Sequence, residues 1–181
     1  MIAQKFVLKK QLFEYVVFKL DQWYRETNYG KPLQITKLRL QKVLFLLCAV
    51  NATKANKGLL TVFNNFVALP YGPVEMDIYE AMNGANQFKY LSFVGNDCKL
   101  VNMSEGSFTG IDASYRVMID AAVKSLRAKK RNYLTMPIFD LVELTHQWSV
   151  WQTAQLMAGI LGRKSEDMSA DDICNSIVKA Y

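Results

Sequence analysis

The stretch from Thr36 to Ala52 constrains the fold more than any other. Its first turn, Lys37-Leu-Arg-Leu-Gln-Lys42, mixes basic and apolar residues, and Val43 to Val50 then runs for eight apolar residues without a break. A helix that is apolar on every side must be surrounded by protein or lipid, and eight residues are too few to cross a bilayer. Thr36 is placed to cap its N-terminus. The segment therefore reads as a helix that starts at the surface and enters a core.

Composition fits that core. The chain has 181 residues, a length for one compact domain, 1–181, that buries roughly 70% of its unfolded surface. An apolar fraction of 51% is too high for disorder. No run has membrane-spanning length, so no membrane partner is expected. Ile2 to Val7 gives way at once to Lys9 and Lys10, unlike a secretory leader. Cys48, Cys98 and Cys174 form neither a C-x-x-C pair nor an even framework, so reduced thiols and a cytoplasmic location are expected.

Periodicity supplies the other elements. Leu12, Phe13, Val16, Val17, Leu20, Trp23 and Tyr24 recur at helical spacing, which predicts a helix over 9–25. Residues 27–34 read as a loop. Leu59 to Leu69 is compatible with a strand bent at Asn64-Asn65 or with a buried helical turn. Pro73 suits the first position of a helix with Val74, Ile78, Ala81 and Met82 inward and Gly84 at its end. Gly95-Asn96-Asp97 separates two halves of a hairpin, and 103–110 reads as a Gly/Ser-rich loop. Asp112 or Ser114 starts a helix through Leu126, and Pro137 opens another. Trp151, Ala154, Met157 and Leu161 continue the apolar pattern as far as Gly162. Ser169 to Asp172 resembles a capping box that starts a last helix through Ile173, Ile177 and Tyr181. The fold class is mainly α, a compact helical domain with a small β element.

Chemistry concentrates in three islands: Ile35–Lys42, Leu69–Val74 and Leu141–Trp148. In the first, Lys37, Arg39, Gln41 and Lys42 form either a basic patch that meets a partner or a solvated first turn. Arg39 is suited to bidentate contact with a carboxylate or phosphate. In the second, Tyr71 is presented by Gly72 and Pro73, either to a partner or simply as turn chemistry. In the third, His146 is the sole histidine of the sequence. One histidine cannot build a multi-histidine zinc site, and no nucleophile elbow surrounds Ser149. A structural histidine that holds two helices together is favoured over a general base. Neither a metal nor a cofactor is expected, since phosphate-loop and dinucleotide fingerprints are missing. The net charge of +6 and the run Arg127-Ala-Lys-Lys-Arg131 leave a phage or mobile-element nucleic-acid-associated protein as the alternative reading. Cations at a helix C-terminus are accounted for by the macrodipole, so nucleic acid is not the expected partner.

Taken in order, the islands resemble the Panacea domain family of SocA-like antitoxins. The family pattern T-K-L-[RK]-L-Q-K-[LV]-L-[YF] stands here as Thr36 to Phe45. F-x-A-W-x-Y-G-P-V stands as Phe66 to Val74, with Leu69 where an aromatic is common. L-T-H-x-x-x-x-W stands as Leu144 to Trp151. The resemblance runs from about Ile35 to Tyr181, and residues 1–34, the N-terminal helix and loop, match less specifically. It implies a non-enzymatic antitoxin of a bacterial or phage-borne pair that neutralises a cognate protein toxin by direct binding. In a variant mechanism the antitoxin also delivers its toxin to a protease. By residue type, Arg39, Tyr71, Trp148 and Trp151 are partner-binding candidates, and Lys42 joins them as part of the basic patch. Thr36, Lys37, Gln41, Gly72, Pro73 and His146 are motif residues expected to serve the scaffold.

Overall fold

The structure is a computed structural model that describes residues 2–181. It is mainly α, with two small antiparallel sheets. The helices are α1 (Ile2–Thr27), α2 (Lys37–Val50), α3 (Met76–Asn83), α4 (Ala113–Arg127), α5 (Ile138–His146), α6 (Ser149–Ile160) and α7 (Ala170–Asn175). The strands are β1 (Ile35–Thr36), β2 (Phe66–Leu69), β3 (Gly72–Glu75), β4 (Leu91–Val94), β5 (Asp97–Leu100) and β6 (Glu166–Met168). One sheet has the order β1-β5-β4 and the other β3-β2-β6.

α2 is the central helix. Leu40 to Ala49 are all buried, and the helix packs on α4, β3 and α5. Thr36 caps it, its hydroxyl accepting from the Arg39 N–H. α1 lies across α3 and α4, and its buried surface is wider than one stripe because Tyr15 and Phe18 are covered as well. Two acids fasten it. Asp21 accepts from the Leu33 N–H at 2.8 Å and closes the turn after the helix. Glu14 accepts from the Tyr90 N–H and anchors the β4 hairpin.

Both alternatives for residues 59–69 are realised in succession, a 3-10 turn over Gly58–Thr61 and then β2. The hairpin about Gly95 forms as β4 and β5. Asp112 and Ser169 cap α4 and α7.

Three expectations are corrected. Pro73 does not open a helix; it lies in β3 opposite Ala68, and α3 starts at Met76. β3 is a sheet edge, where the missing proline N–H costs no ladder bond, and the carboxylate of Glu75, accepting from the Ile78 N–H, caps α3 instead. Met157 and Leu161 do not face the core. Val150, Ala154 and Ala158 do, because α6 docks on the sheet through small residues. The last helix ends at Asn175, which leaves Ile177 exposed. Tyr181 instead folds back, its ring edge-on to Trp148 and its hydroxyl donating to the Ala49 carbonyl.

Candidate functional site

The three islands converge on β3. Gln41 joins α2 to the strand twice: its amide oxygen accepts from the Glu75 N–H at 2.8 Å, and its amide nitrogen donates to the Glu75 carbonyl at 3.4 Å. Lys42 is fully buried and donates to the Pro73 carbonyl at 2.6 Å. Thr145 of α5 packs over Gly72 beside the Lys42 stem. The Glu75 carboxylate, also fully buried, receives Lys9 of α1 at 2.6 Å. Lys9 also pairs with Asp77 at 2.5 Å. Neither Lys9 nor Glu75 belongs to an island. A signal for Lys9 exists in the sequence, since it falls in helical register with Leu12, Phe13 and Val16 and so on the buried face.

This burial corrects two partner-binding expectations. Lys42 and Trp148 present no surface to a folded partner. Trp148 is enclosed between Phe45 and Tyr181, and its indole N–H donates to the Ala180 carbonyl at 2.7 Å. Residue type suggested exposure for the lysine; the stem of Lys42 instead fills the space beside Gly72. Nor is the first turn of α2 simply solvated. Arg39 donates to the carbonyls of Tyr133 and Met136 at 2.8 and 2.7 Å, tying α2 to the segment before α5. Lys37 donates to Asn83 of α3 at 2.8 Å.

Burial pushes the Lys42 ammonium down to about 7. The unfolded chain therefore binds more protons than the folded one above that pH, and stability rises with pH there. Below about 7 both states are protonated and the penalty is constant. Above about 8.5 the buried thiols Cys48 and Cys98, whose pKa values burial raises, act in the opposite sense. Urea unfolding is thus expected to show a gain of roughly 1–2 kcal/mol between pH 7 and 8.5. Lys42→Met should flatten that slope, and an equal slope in the variant would reject the assignment.

His146 stacks on Trp151 with ring centroids 3.8 Å apart. Its Nδ1 faces the Glu143 carboxylate at 3.4 Å, an exposed partner on the same helix. Burial holds its pKa below the ordinary histidine value, with Glu143 opposing. Ser149 does not approach it as a nucleophile would. The serine hydroxyl bonds Ser176 and accepts from the N–H groups of Ile177 and Val178. Trp151 donates to the Leu69 carbonyl at 3.0 Å, so the His146–Trp151 stack connects α5 and α6 to the turn that carries Tyr71.

Tyr71 itself is 62% exposed. It stands on the lip of a cleft of about 900 Å³ between the start of α2, the β2–β3 turn, α3 and the segment before α5. The lining includes Tyr24, Tyr71 and Tyr79, the cations Lys37 and Arg39, and no carboxylate. The cleft thus offers aromatic faces and positive charge on a rigid wall. Two of the four cations in the basic run at the end of α4 are engaged elsewhere: Arg127 pairs with Glu26 at 2.7 Å, and Lys129 lies over the Tyr181 ring. No group of three or more His, Cys, Asp and Glu side chains able to hold a metal occurs among the described residues. No helix among them is long and apolar enough to cross a membrane.

No curated protein and no solved structure matches the chain significantly. The family described as antitoxin SocA-like, Panacea domain, matches residues 40–152, a narrower span than Ile35 to Tyr181. That span holds Gln41, Lys42, Gly72, Glu75 and Thr145, the residues that join α2, β3 and α5, and it covers well over half of the sequence. The chain therefore belongs to the SocA-like antitoxin family, as a Panacea domain.

Proposed function

We propose that this protein neutralises a cognate protein toxin by binding it directly, and that the tyrosine-rimmed cationic cleft is the contact surface. The observation that carries the reading is the presentation of Tyr71. An exposed aromatic side chain stands on a turn whose neighbours Gly72 and Pro73 are buried against Lys42 and Thr145. Such an anchor loses little conformational freedom on binding, and aromatic anchors of this kind dominate interface energetics. Lys37 and Arg39, with no acid beside them in the lining, favour a toxin segment that carries carboxylates. Stable neutralisation needs about 800 Å² of buried surface per partner, so the cleft and its rim act together. The three cysteines are unpaired and buried, which accords with action in the cytoplasm.

The test is co-expression with the product of the neighbouring gene. The protein should restore growth and co-purify with that product. Tyr71→Ala should weaken the complex about tenfold or more while leaving the unfolding midpoint unchanged, because the side chain is exposed. Rescue of growth without a complex would argue against direct neutralisation, and full affinity in the variant would move the interface away from the cleft. Delivery to a protease adds a separate expectation, a shortened toxin half-life when both proteins are present. An unchanged half-life would leave binding alone as the mechanism.

A further inference from the structure

A second surface lies at the opposite end of the third island. α6 leaves one face without a partner: Leu156, Met157 and Ile160 recur on it at 65, 42 and 68% exposure. Beside it a groove of about 380 Å³ opens between α6 and α7 and is lined by Val150, Ala154, Met157 and Ile177. Ile177 is 94% exposed, yet its main chain is fixed. The Ser149 hydroxyl accepts from the N–H groups of Ile177 and Val178 at 2.9 and 3.2 Å, and the Ser149 N–H donates to the Val178 carbonyl at 3.1 Å. A branched apolar side chain held in water on an ordered backbone is pre-organised for burial against something else.

Charge indicates what that is. Glu166, Asp167 and Asp172 line the same groove, and no lysine or arginine does. Glu166 pairs with Arg163, and Asp172 accepts from the Ser169 hydroxyl. Asp167 has no hydrogen-bonded or ionic side-chain partner among the described residues. A local acidic rim on a chain of net charge +6 runs against the overall field and selects cationic segments. We infer that the α6–α7 groove seats a cationic amphipathic segment of another protein. Its aliphatic side chains enter between Met157 and Ile177, and its lysines or arginines meet Asp167 and the adjacent acids. This surface shares no lining residue with the α2–β3 cleft and is opposite to it in charge. The inference stands whether or not the cleft binds a toxin.

The probe is a fluorescein-labelled Leu/Lys peptide of helical amphipathic pattern, titrated into the full chain and followed by anisotropy, with a Leu/Glu peptide of the same pattern as control. The Leu/Lys peptide should bind, lose affinity as salt rises, and bind about tenfold more weakly to Ile177→Ser and to Asp167→Lys. Tyr71→Ala should bind it like the wild type, which separates this surface from the cleft. Both Ile177 and Asp167 are exposed, so an unchanged unfolding midpoint will verify the fold of those variants. The inference is overturned if the Leu/Lys peptide fails to bind at millimolar concentration, if the Leu/Glu peptide binds as well, or if Asp167→Lys has no effect. It is equally overturned if sedimentation shows that the wild type self-associates through Ile177, which would make a second copy the occupant.

Discussion

Lys9→Met is expected to lower the free energy of unfolding by about 3–5 kcal/mol, the cost of removing one partner from a buried ion pair. Lys9 is 5% exposed, and its ammonium meets Glu75 at 2.6 Å and Asn64 at 3.3 Å as well as Asp77. Glu75 has no exposed surface. Its carboxylate keeps the N–H groups of Asn65 and Ile78 in the variant, at 3.2 and 2.9 Å, but no counter-charge. Burial already raises the Glu75 pKa, and Lys9 opposes that rise. Without Lys9 the rise must be larger. A carboxyl group with a raised folded-state pKa binds more protons folded than unfolded, so the deficit should shrink as pH falls from 7.5 toward 5. Adding Glu75→Gln to Lys9→Met should recover more than half of the loss in urea unfolding. A deficit independent of pH, with no recovery in the double variant, would mean that lost packing of the lysine stem, and not the orphaned charge, sets the effect. The pair also bears on what the family match omits. Residues 40–152 contain Glu75 but not Lys9, so that segment alone lacks the cation its own core needs.

The contrast between what could and could not be read in advance follows the range of each interaction. The caps at Thr36, Asp112 and Ser169 depend on neighbouring residues, and each forms where sequence places it. The apolar run after Lys42 could only be a buried helix. β6 was hidden because its pairing partner β2 lies about a hundred residues earlier, and two of its three residues are acidic. Pro73 misled because a proline at a helix start and a proline at a sheet edge carry the same local signature. Lys42 looked like a contact residue because lysines are almost always exposed, and Trp148 because tryptophan is enriched at interfaces. Only the tertiary fold shows that the lysine stem fills space beside Gly72 and that the tryptophan is closed over by Tyr181. Lys9 and Glu75 are 66 residues apart, a distance that no motif reading connects.

Gly72→Ala should be about as damaging, by roughly 3–5 kcal/mol, through strain and overpacking together. Gly72 has φ +91, a region an alanine enters only at a cost. Its added methyl carbon would sit 2.5 Å from the Thr145 hydroxyl oxygen and 3.2 Å from Cε of Lys42. Neither neighbour can step aside. Thr145 is fully buried with its hydroxyl bonded to the Val142 carbonyl at 2.8 Å, and Lys42 is fully buried with its ammonium on Pro73. Each of the three residues comes from a different island, so the same contact explains why the islands occur together. Lys42, Gly72 and Thr145 are sides of one packing point, and the turn that presents Tyr71 is built on it. A loss of this size is a large fraction of the whole stability of a typical domain, about 5–15 kcal/mol. The variant should therefore accumulate poorly and, on the proposed function, lose toxin binding together with fold. Thr145→Ala in the same chain removes the closest obstruction but not the backbone strain, so partial recovery of the urea midpoint is expected. Gly72→Ala with a wild-type midpoint would show that β3 can shift away from α5. The islands would then owe their co-occurrence to something other than this contact.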